Sequence, residues 1–240
     1  DRQSTHNQWE CEYKVMSYLS QLSVSQLESL DQGGKLWELY RQACAESLYF
    51  FVRSVWIQIP TERNLITKSC HLPLCLTLQA VNEGKIRRLL VEDPRRHLKS
   101  TIATKGRPVH KLILRDVHGE DPTDRFAFYS STMTNSQRQW REIRWGFETN
   151  LLFQFLFPHL IPDFTNVKVW NDSEGIIPRA YNPQDPTFDC LGGGKATSRH
   201  YDDITEDDLI NEENYDSPTA IAKAIEYHRQ AENLLEDTKG

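Results

Sequence analysis

Arg88-Leu89-Leu90-Val91-Glu92-Asp93-Pro94-Arg95-Arg96-His97-Leu98-Lys99-Ser100-Thr101 is the stretch on which the reading of this 240-residue chain turns. A short apolar run, 88–91, enters a turn at Asp93-Pro94, and a helix is expected from about Lys99. A strand, a tight turn and a Lys-Ser pair opening a helix are what a phosphate-binding loop requires. Its backbone N–H groups cup the phosphates, the lysine reaches the outer ones and the hydroxyl binds Mg²⁺. Lys99 and Ser100 fit those two roles. Both glycines of G-x-x-x-x-G-K-[ST] are missing, since Asp93 and Leu98 stand in their places, and an ordinary strand–turn–helix satisfies the same pattern. Pro94, Arg95, Arg96 and His97 nevertheless put cationic donors where a structural turn favours Gly, Asn or Asp. Guanidinium groups fork onto phosphate oxygens and can replace part of what glycine-backed amides supply.

Working outward, residues 36–56 carry Leu36, Tyr40, Ala43, Leu48, Phe51 and Val55 at helical spacing, behind a break at Gly33-Gly34. Residues 8–30 and 72–81 read as further helices. Arg125-Phe126-Ala127-Phe128-Tyr129 reads as a strand ending at Ser130-Ser131, followed by a long helix over about 135–148. Two or three short strands are expected between 167 and 190, a glycine loop at 192–194, and a last helix over 218–235 announced by Ser217-Pro218. Strands separated by helices behind a helical arm (1–64) predict an α/β core over 65–240, with a mostly parallel sheet flanked by helices.

No run of 18 apolar residues spans a membrane, and Asp1-Arg2-Gln3-Ser4 has no basic-then-apolar leader pattern. The missing initiator Met is expected of a trimmed product or fragment. Five scattered cysteines argue for reduced thiols over a disulfide framework. Cys70-His71 with Cys75 hints at a metal, but no second pair at zinc spacing accompanies it, and the alternating Leu72 and Leu74 favour packing. The net charge of −6 excludes a uniformly basic nucleic-acid binder. Ten Lys and Arg between 85 and 115 face only Glu92 and Asp93, whereas 202–216 holds eight acids. Such blocks suit phosphate at one place and a divalent cation at another, or else two solvated faces.

The acidic block reads Tyr201-Asp202-Asp203-Ile204-Thr205-Glu206-Asp207-Asp208-Leu209-Ile210. An acid ending a strand beside the phosphate loop can hold Mg²⁺, and a carboxylate directly after it can position the attacking water. Asp207 fits the metal role and Asp208 the catalytic one, with Glu206 an alternative for either. A solvated acidic loop would also explain so polar a strand.

In order and context these segments resemble the ATPase domain of large terminase subunits from tailed double-stranded DNA phages. Pro94-Arg95-Arg96-His97-Leu98-Lys99-Ser100-Thr101 is similar to that family's glycine-poor, arginine-bearing loop. Tyr129-Ser130-Ser131-Thr132 with Gln137 and Trp140, Glu148-x-Asn150 with Leu156-Phe157-Pro158, and Pro186-Thr187-Phe188 leading through Arg199-His200-Tyr201-Asp202 to Asp207-Asp208-Leu209 carry the rest. The resemblance covers roughly residues 65–235. It implies a P-loop NTPase fold of the RecA/ASCE type, with ATP and Mg²⁺ as cofactors and Ser100 and Asp207 as metal ligands. The activity implied is ATP-driven translocation of double-stranded DNA by a homo-oligomeric ring, usually a pentamer. The implied partners are the portal protein of an empty procapsid and the small terminase subunit, in the host cytoplasm. It also implies an arginine acting in trans, best matched by Arg199, with Arg138, Arg141 and Arg144 behind it. The family's RNase H-type nuclease has no counterpart acid cluster here, and Asp208 stands where Glu is commoner. A helicase-like P-loop motor and a non-catalytic α/β interaction module are the rival readings.

Overall fold

A computed structural model describes residues 34–59, 65–94, 96–180, 185–192, 198–210 and 215–235. The helix expected over 8–30 lies outside them, as do Arg95 and the glycines at 193 and 194.

The sheet grows from Phe-Ala-Phe-Tyr-Ser. This strand, β1 (Phe126–Ser130), is buried along its whole length and sits inside the sheet. Its neighbours are β3 (Phe188–Gly192) and β4 (Asp203–Glu206), both parallel to it. A two-residue strand, β2 (Glu174–Gly175), runs antiparallel on the outer edge of β3, giving the order β2-β3-β1-β4. Strand alternation sends Phe126 and Phe128 into the larger core and Ala127 and Tyr129 into a smaller one on the opposite face. A run apolar on both faces is what a strand covered on both sides needs.

The larger core lies beneath the helices that precede and follow β1. α1 (Lys35–Glu46) and α2 (Leu48–Phe51) continue into a π-helical turn, Val52–Trp56. The helix predicted as continuous over 36–56 is therefore interrupted. Ser47 takes an extended conformation and its Oγ caps the Phe50 amide at 3.1 Å. The Gln79 side chain repairs the break, donating to the Glu46 carbonyl (2.8 Å) and accepting from the Leu48 amide (3.2 Å). Gln79 belongs to α3 (Lys68–Asn82). A π-helical segment, Ser100–Gly106, runs without a break into α4 (Arg107–Val117).

After β1 comes α5 (Met133–Thr149), capped by Thr132, whose side chain accepts from the Asn135 amide. Its Trp140, Ile143 and Phe147 are fully buried, and the Trp140 ring stacks on Phe188 at 4.9 Å. Gly146 on the same helix lies under Trp56, where a β-carbon would come within 2.5 Å of the indole. α6 (Leu151–Leu156) closes this layer. The other sheet face is covered by α7 (Pro218–Leu234), through Ala231 and the Tyr227 ring 6.2 Å from Tyr129. The result is a mixed α/β domain whose four-stranded, mostly parallel sheet is flanked by helices. No helix among the described residues is long and apolar enough to cross a membrane.

One expected strand is absent. Residues 88–94 have no regular structure and pair with no strand among the described residues. Leu90 is 83 % exposed and Leu89 38 % exposed, so only Val91 of this apolar run reaches the core. Three apolar residues between Arg87-Arg88 and Glu92-Asp93 bury too little to fix a strand here.

Candidate functional site

The turn before the Ser100 helix keeps an unusual backbone even though no strand leads into it. Arg96 (φ 70°) and Leu98 (φ 57°) are both left-handed, and Lys99 is right-handed (φ −48°, ψ −57°). A left-handed residue followed by a right-handed one points successive N–H groups toward one place, a concavity that suits an anion. Leu98 occupies the position where a phosphate loop carries glycine, and it holds the conformation glycine favours. For a bulky side chain this costs on the order of 1–3 kcal/mol and persists only where the surroundings enforce it. Leu98 is enforced by packing on the main core, and the Ile102 amide closes the first helical turn onto its carbonyl at 3.0 Å. The side chains of Pro94, Arg96 and His97 are exposed, and Thr101 is half-buried.

A second tether comes from α3. The His71 Nδ1 accepts from the Thr67 amide (3.1 Å), so the ring proton sits on Nε2, which donates to the His97 carbonyl (3.2 Å). His71 is buried, and both of its nitrogens are used. Cys75 is therefore a buried packing thiol and His71 a tether, while Cys70 is exposed; no group of three or more His, Cys, Asp or Glu that could hold a metal occurs among the described residues. Burial pushes the Cys75 thiol up to about 12, far from a thiolate.

Beneath the loop, Asp207 follows β4 directly, and its amide donates to the Tyr129 carbonyl (3.0 Å) at the end of β1. Its Oδ2 accepts from Ser100 Oγ (3.2 Å), 107 positions away in sequence, from Thr104 Oγ1 (3.4 Å) and from Gln139 Nε2 (3.3 Å). Lys99 Nζ lies 3.9 Å from Oδ1. Lys99, Ser100 and Asp207 therefore meet at the carboxyl ends of parallel strands, where open α/β sheets bind their ligands. The basic and acidic blocks of the sequence face each other here.

Arg107 fixes this arrangement one turn further along. Its guanidinium forks onto Asp203, Nη1 to Oδ2 at 2.5 Å and Nη2 to Oδ1 at 2.7 Å, and also reaches Thr205 Oγ1 at 2.8 Å. Asp203, Thr205 and Asp207 alternate along one side of β4, so Arg107 fastens the strand that carries Asp207 to the helix that carries Ser100. This accounts for the polarity of β4. It is the strand beside α4, and its acids are partnered.

The remaining candidates lie apart from this cluster. Asp208 is exposed and left-handed (φ 52°), and its carbonyl accepts from the Ser131 amide (3.4 Å). Glu206 turns to the opposite face and meets His228 Nδ1 on α7 at 2.7 Å. Arg199 bonds Asp189 (2.7 Å) and Glu174 (2.9 Å) on β3 and β2, where Tyr201 also donates to Asp189. Arg144 pairs with Asp172 and Glu148. Arg95 lies outside the described residues.

Motif and charge pattern single out neither Thr104 nor Gln139 as site residues; Arg107 stands out in the sequence only as one of the basic block, and His71 only as a metal candidate beside Cys70 and Cys75. Thr104 could have been found, because it follows Ser100 by one helical turn on the same face. A lone glutamine on a helix carries no such signal. Comparison with protein-family models, curated proteins and solved structures gives no match.

Proposed function

We propose that this chain is a P-loop ATPase, the motor subunit of a viral DNA-packaging terminase that moves double-stranded DNA into a procapsid. The observation that carries the nucleotide part is the convergence of Lys99, Ser100 and Asp207 under a turn with left-handed residues at 96 and 98. The terminase assignment rests on the ordered resemblance of the flanking segments. Lys99 neutralises the outer phosphates, and Ser100 with Asp207 supplies hard oxygen ligands for Mg²⁺, which offsets charge developing on the phosphoryl group. Asp208, on the rim directly after the metal ligand, positions the attacking water. The partners in this reading are duplex DNA, the portal protein, the small terminase subunit and further copies of the chain in a ring in the host cytoplasm. To act in trans, Arg199 would exchange Asp189 and Glu174 for a neighbour's phosphates.

The test compares Asp207→Asn with Asp208→Asn. Asp207→Asn should weaken Mg²⁺-dependent ATP binding about tenfold, because it removes the charge that faces the cation. Asp208→Asn should leave binding intact and lower turnover at saturating ATP by roughly 10²-fold, the usual size of a general-base contribution. Equal loss of affinity with unchanged turnover would refute this division. Driven movement of duplex DNA without strand separation identifies a packaging motor, whereas strand separation identifies the helicase-like alternative.

The loop itself gives a second expectation. Asn tolerates the left-handed region better than Arg, and the Arg96 side chain is exposed. Arg96→Asn should therefore melt no lower than wild type while losing about tenfold in nucleotide affinity, about 1.4 kcal/mol. Calorimetry beside a binding titration checks both, and unchanged affinity would place Arg96 outside the phosphate site.

A further inference from the structure

Two buried polar atoms near Asp207 have no partner. Gln139, on α5, spends its amide nitrogen on Asp207 Oδ2, and its Oε1 is buried without a hydrogen bond. The orientation of this amide is fixed by the carboxylate, since a flipped amide would set oxygen against oxygen. Ser130 is 3 % exposed, and its Oγ is likewise unpartnered. Its place follows from the register. Tyr129 pairs with Glu206, so Ser130 and Asp207 are the next residues on adjoining strands. Ser130 shares the face of Phe126 and Phe128, as Asp207 shares that of Asp203 and Thr205, and both faces look toward α4 and α5.

A buried polar atom left unpaired costs about 1–3 kcal/mol. Two of them beside one carboxylate, at the carboxyl ends of a parallel sheet, mark space for something that bonds to them. The pattern on Asp207 says what kind. Three neutral donors hold Oδ2, whereas Oδ1 has only Lys99 Nζ at 3.9 Å, beyond hydrogen-bond reach. The carboxylate is thus fixed by one oxygen and offers the other. Besides Lys99 Nζ and Gln139 Nε2, the neighbouring polar atoms include the side-chain oxygens of Ser100, Ser130 and Gln139, and such oxygens suit a hard cation retaining several waters.

We propose that Gln139 and Ser130 are positioning residues for a hydrated divalent cation at Asp207, accepting hydrogen bonds from its waters while Gln139 also locks the carboxylate. This rests on the nucleotide-binding reading and deepens it. Neither residue touches the phosphates. They act through the cation's hydration shell, where loss of a partner lowers metal affinity roughly 10–100-fold.

The test titrates a fluorescent ADP analogue into wild type, Gln139→Leu, Ser130→Ala and Lys99→Ala, in EDTA and in Mn²⁺, with melting temperatures recorded alongside. In wild type, Mn²⁺ should tighten binding. In Gln139→Leu and Ser130→Ala this gain should fall about tenfold, with affinity in EDTA retained. Ser130→Ala should melt no lower than wild type, since its hydroxyl has no partner to lose. A merely structural role predicts the reverse, a lower melting temperature with the Mn²⁺ gain intact, and that result overturns the proposal. So does a wild type that binds the analogue equally well with and without Mn²⁺, while Lys99→Ala loses it, which leaves the nucleotide site standing. If wild type fails to bind the analogue, or Lys99→Ala binds it as well as wild type, the nucleotide reading fails and this inference with it. Should Gln139→Leu not fold, Ser130→Ala decides alone.

Discussion

Lys99→Ala is expected to lower ATP turnover by roughly 10²–10³-fold, the usual consequence of removing one charge stabiliser from a transition state. The fold should survive. Lys99 is 34 % exposed and its contact with Asp207 is 3.9 Å long, so the pair adds at most about 1 kcal/mol to stability. Alanine also suits the first turn of a helix. The helix start is held independently by the Ile102 amide on the Leu98 carbonyl and by Ser100 and Thr104 on Asp207. Steady-state hydrolysis and a melting curve on the same preparation settle the matter. A folded Lys99→Ala protein that turns over ATP at the wild-type rate, assembled with whatever partners the wild type requires, removes the phosphate-site assignment.

The largest effect on stability is expected from Arg107→Ala, about 3–5 kcal/mol, because it strands a buried carboxylate. Arg107 and Asp203 have side chains only 5 % and 10 % exposed. Burial alone pushes the Asp203 carboxyl up, but the Arg107 guanidinium overrides it and holds the group below its ordinary value, with help from Lys111. A depressed folded pKa stabilises the protein above the unfolded value, near pH 4, and that contribution is lost as pH falls through the lower folded pKa. Without Arg107 the Asp203 carboxyl moves up, so the gap between wild type and Arg107→Ala should be largest at neutral pH and shrink as pH falls, first through the raised value in the variant and then through the lowered value in wild type. Denaturant midpoints across that range measure it. Replacing both partners, with Arg107→Met and Asp203→Leu, should recover much of the loss. A gap that stayed constant through the acid range would show that packing, and not the ion pair, carries the effect.

Where side-chain pattern alone dictates structure, the sequence is readable. Phe-Ala-Phe-Tyr-Ser is apolar on both faces and forms the interior strand, β1. Ser217-Pro218 opens α7 as expected, with the Ser217 side chain accepting from the Ala220 amide. Lys99, Ser100 and Asp207 could be chosen in advance because cation, hydroxyl and acid each have a chemical reason to stand at their element's end. The lack of glycine at 98 does not decide the backbone of this turn. A left-handed φ is open to other residues where packing enforces it, and Leu98 takes φ 57° against the core. Less was legible where partners decide. The apolar run at 88–91 resembles β1 locally but finds no neighbouring strand among the described residues, and Ser47 breaks a periodic helix because Gln79 is available to bridge the gap. Gln139 is an ordinary residue in sequence and His71 reads there as a metal candidate, and only the assembled fold shows what they hold.

The His71 bond also has a mechanical meaning. It joins the first turn of α3 to the backbone of the turn at His97, through a ring whose other nitrogen is anchored at Thr67. The turn is therefore not a free flap but one end of a linkage. Displacing α3 drags on the peptide at His97, and reshaping the turn breaks that bond or carries α3 with it. Force applied to the helical layer thus reaches the turn through the His71–His97 hydrogen bond, and movement in the turn returns along the same path.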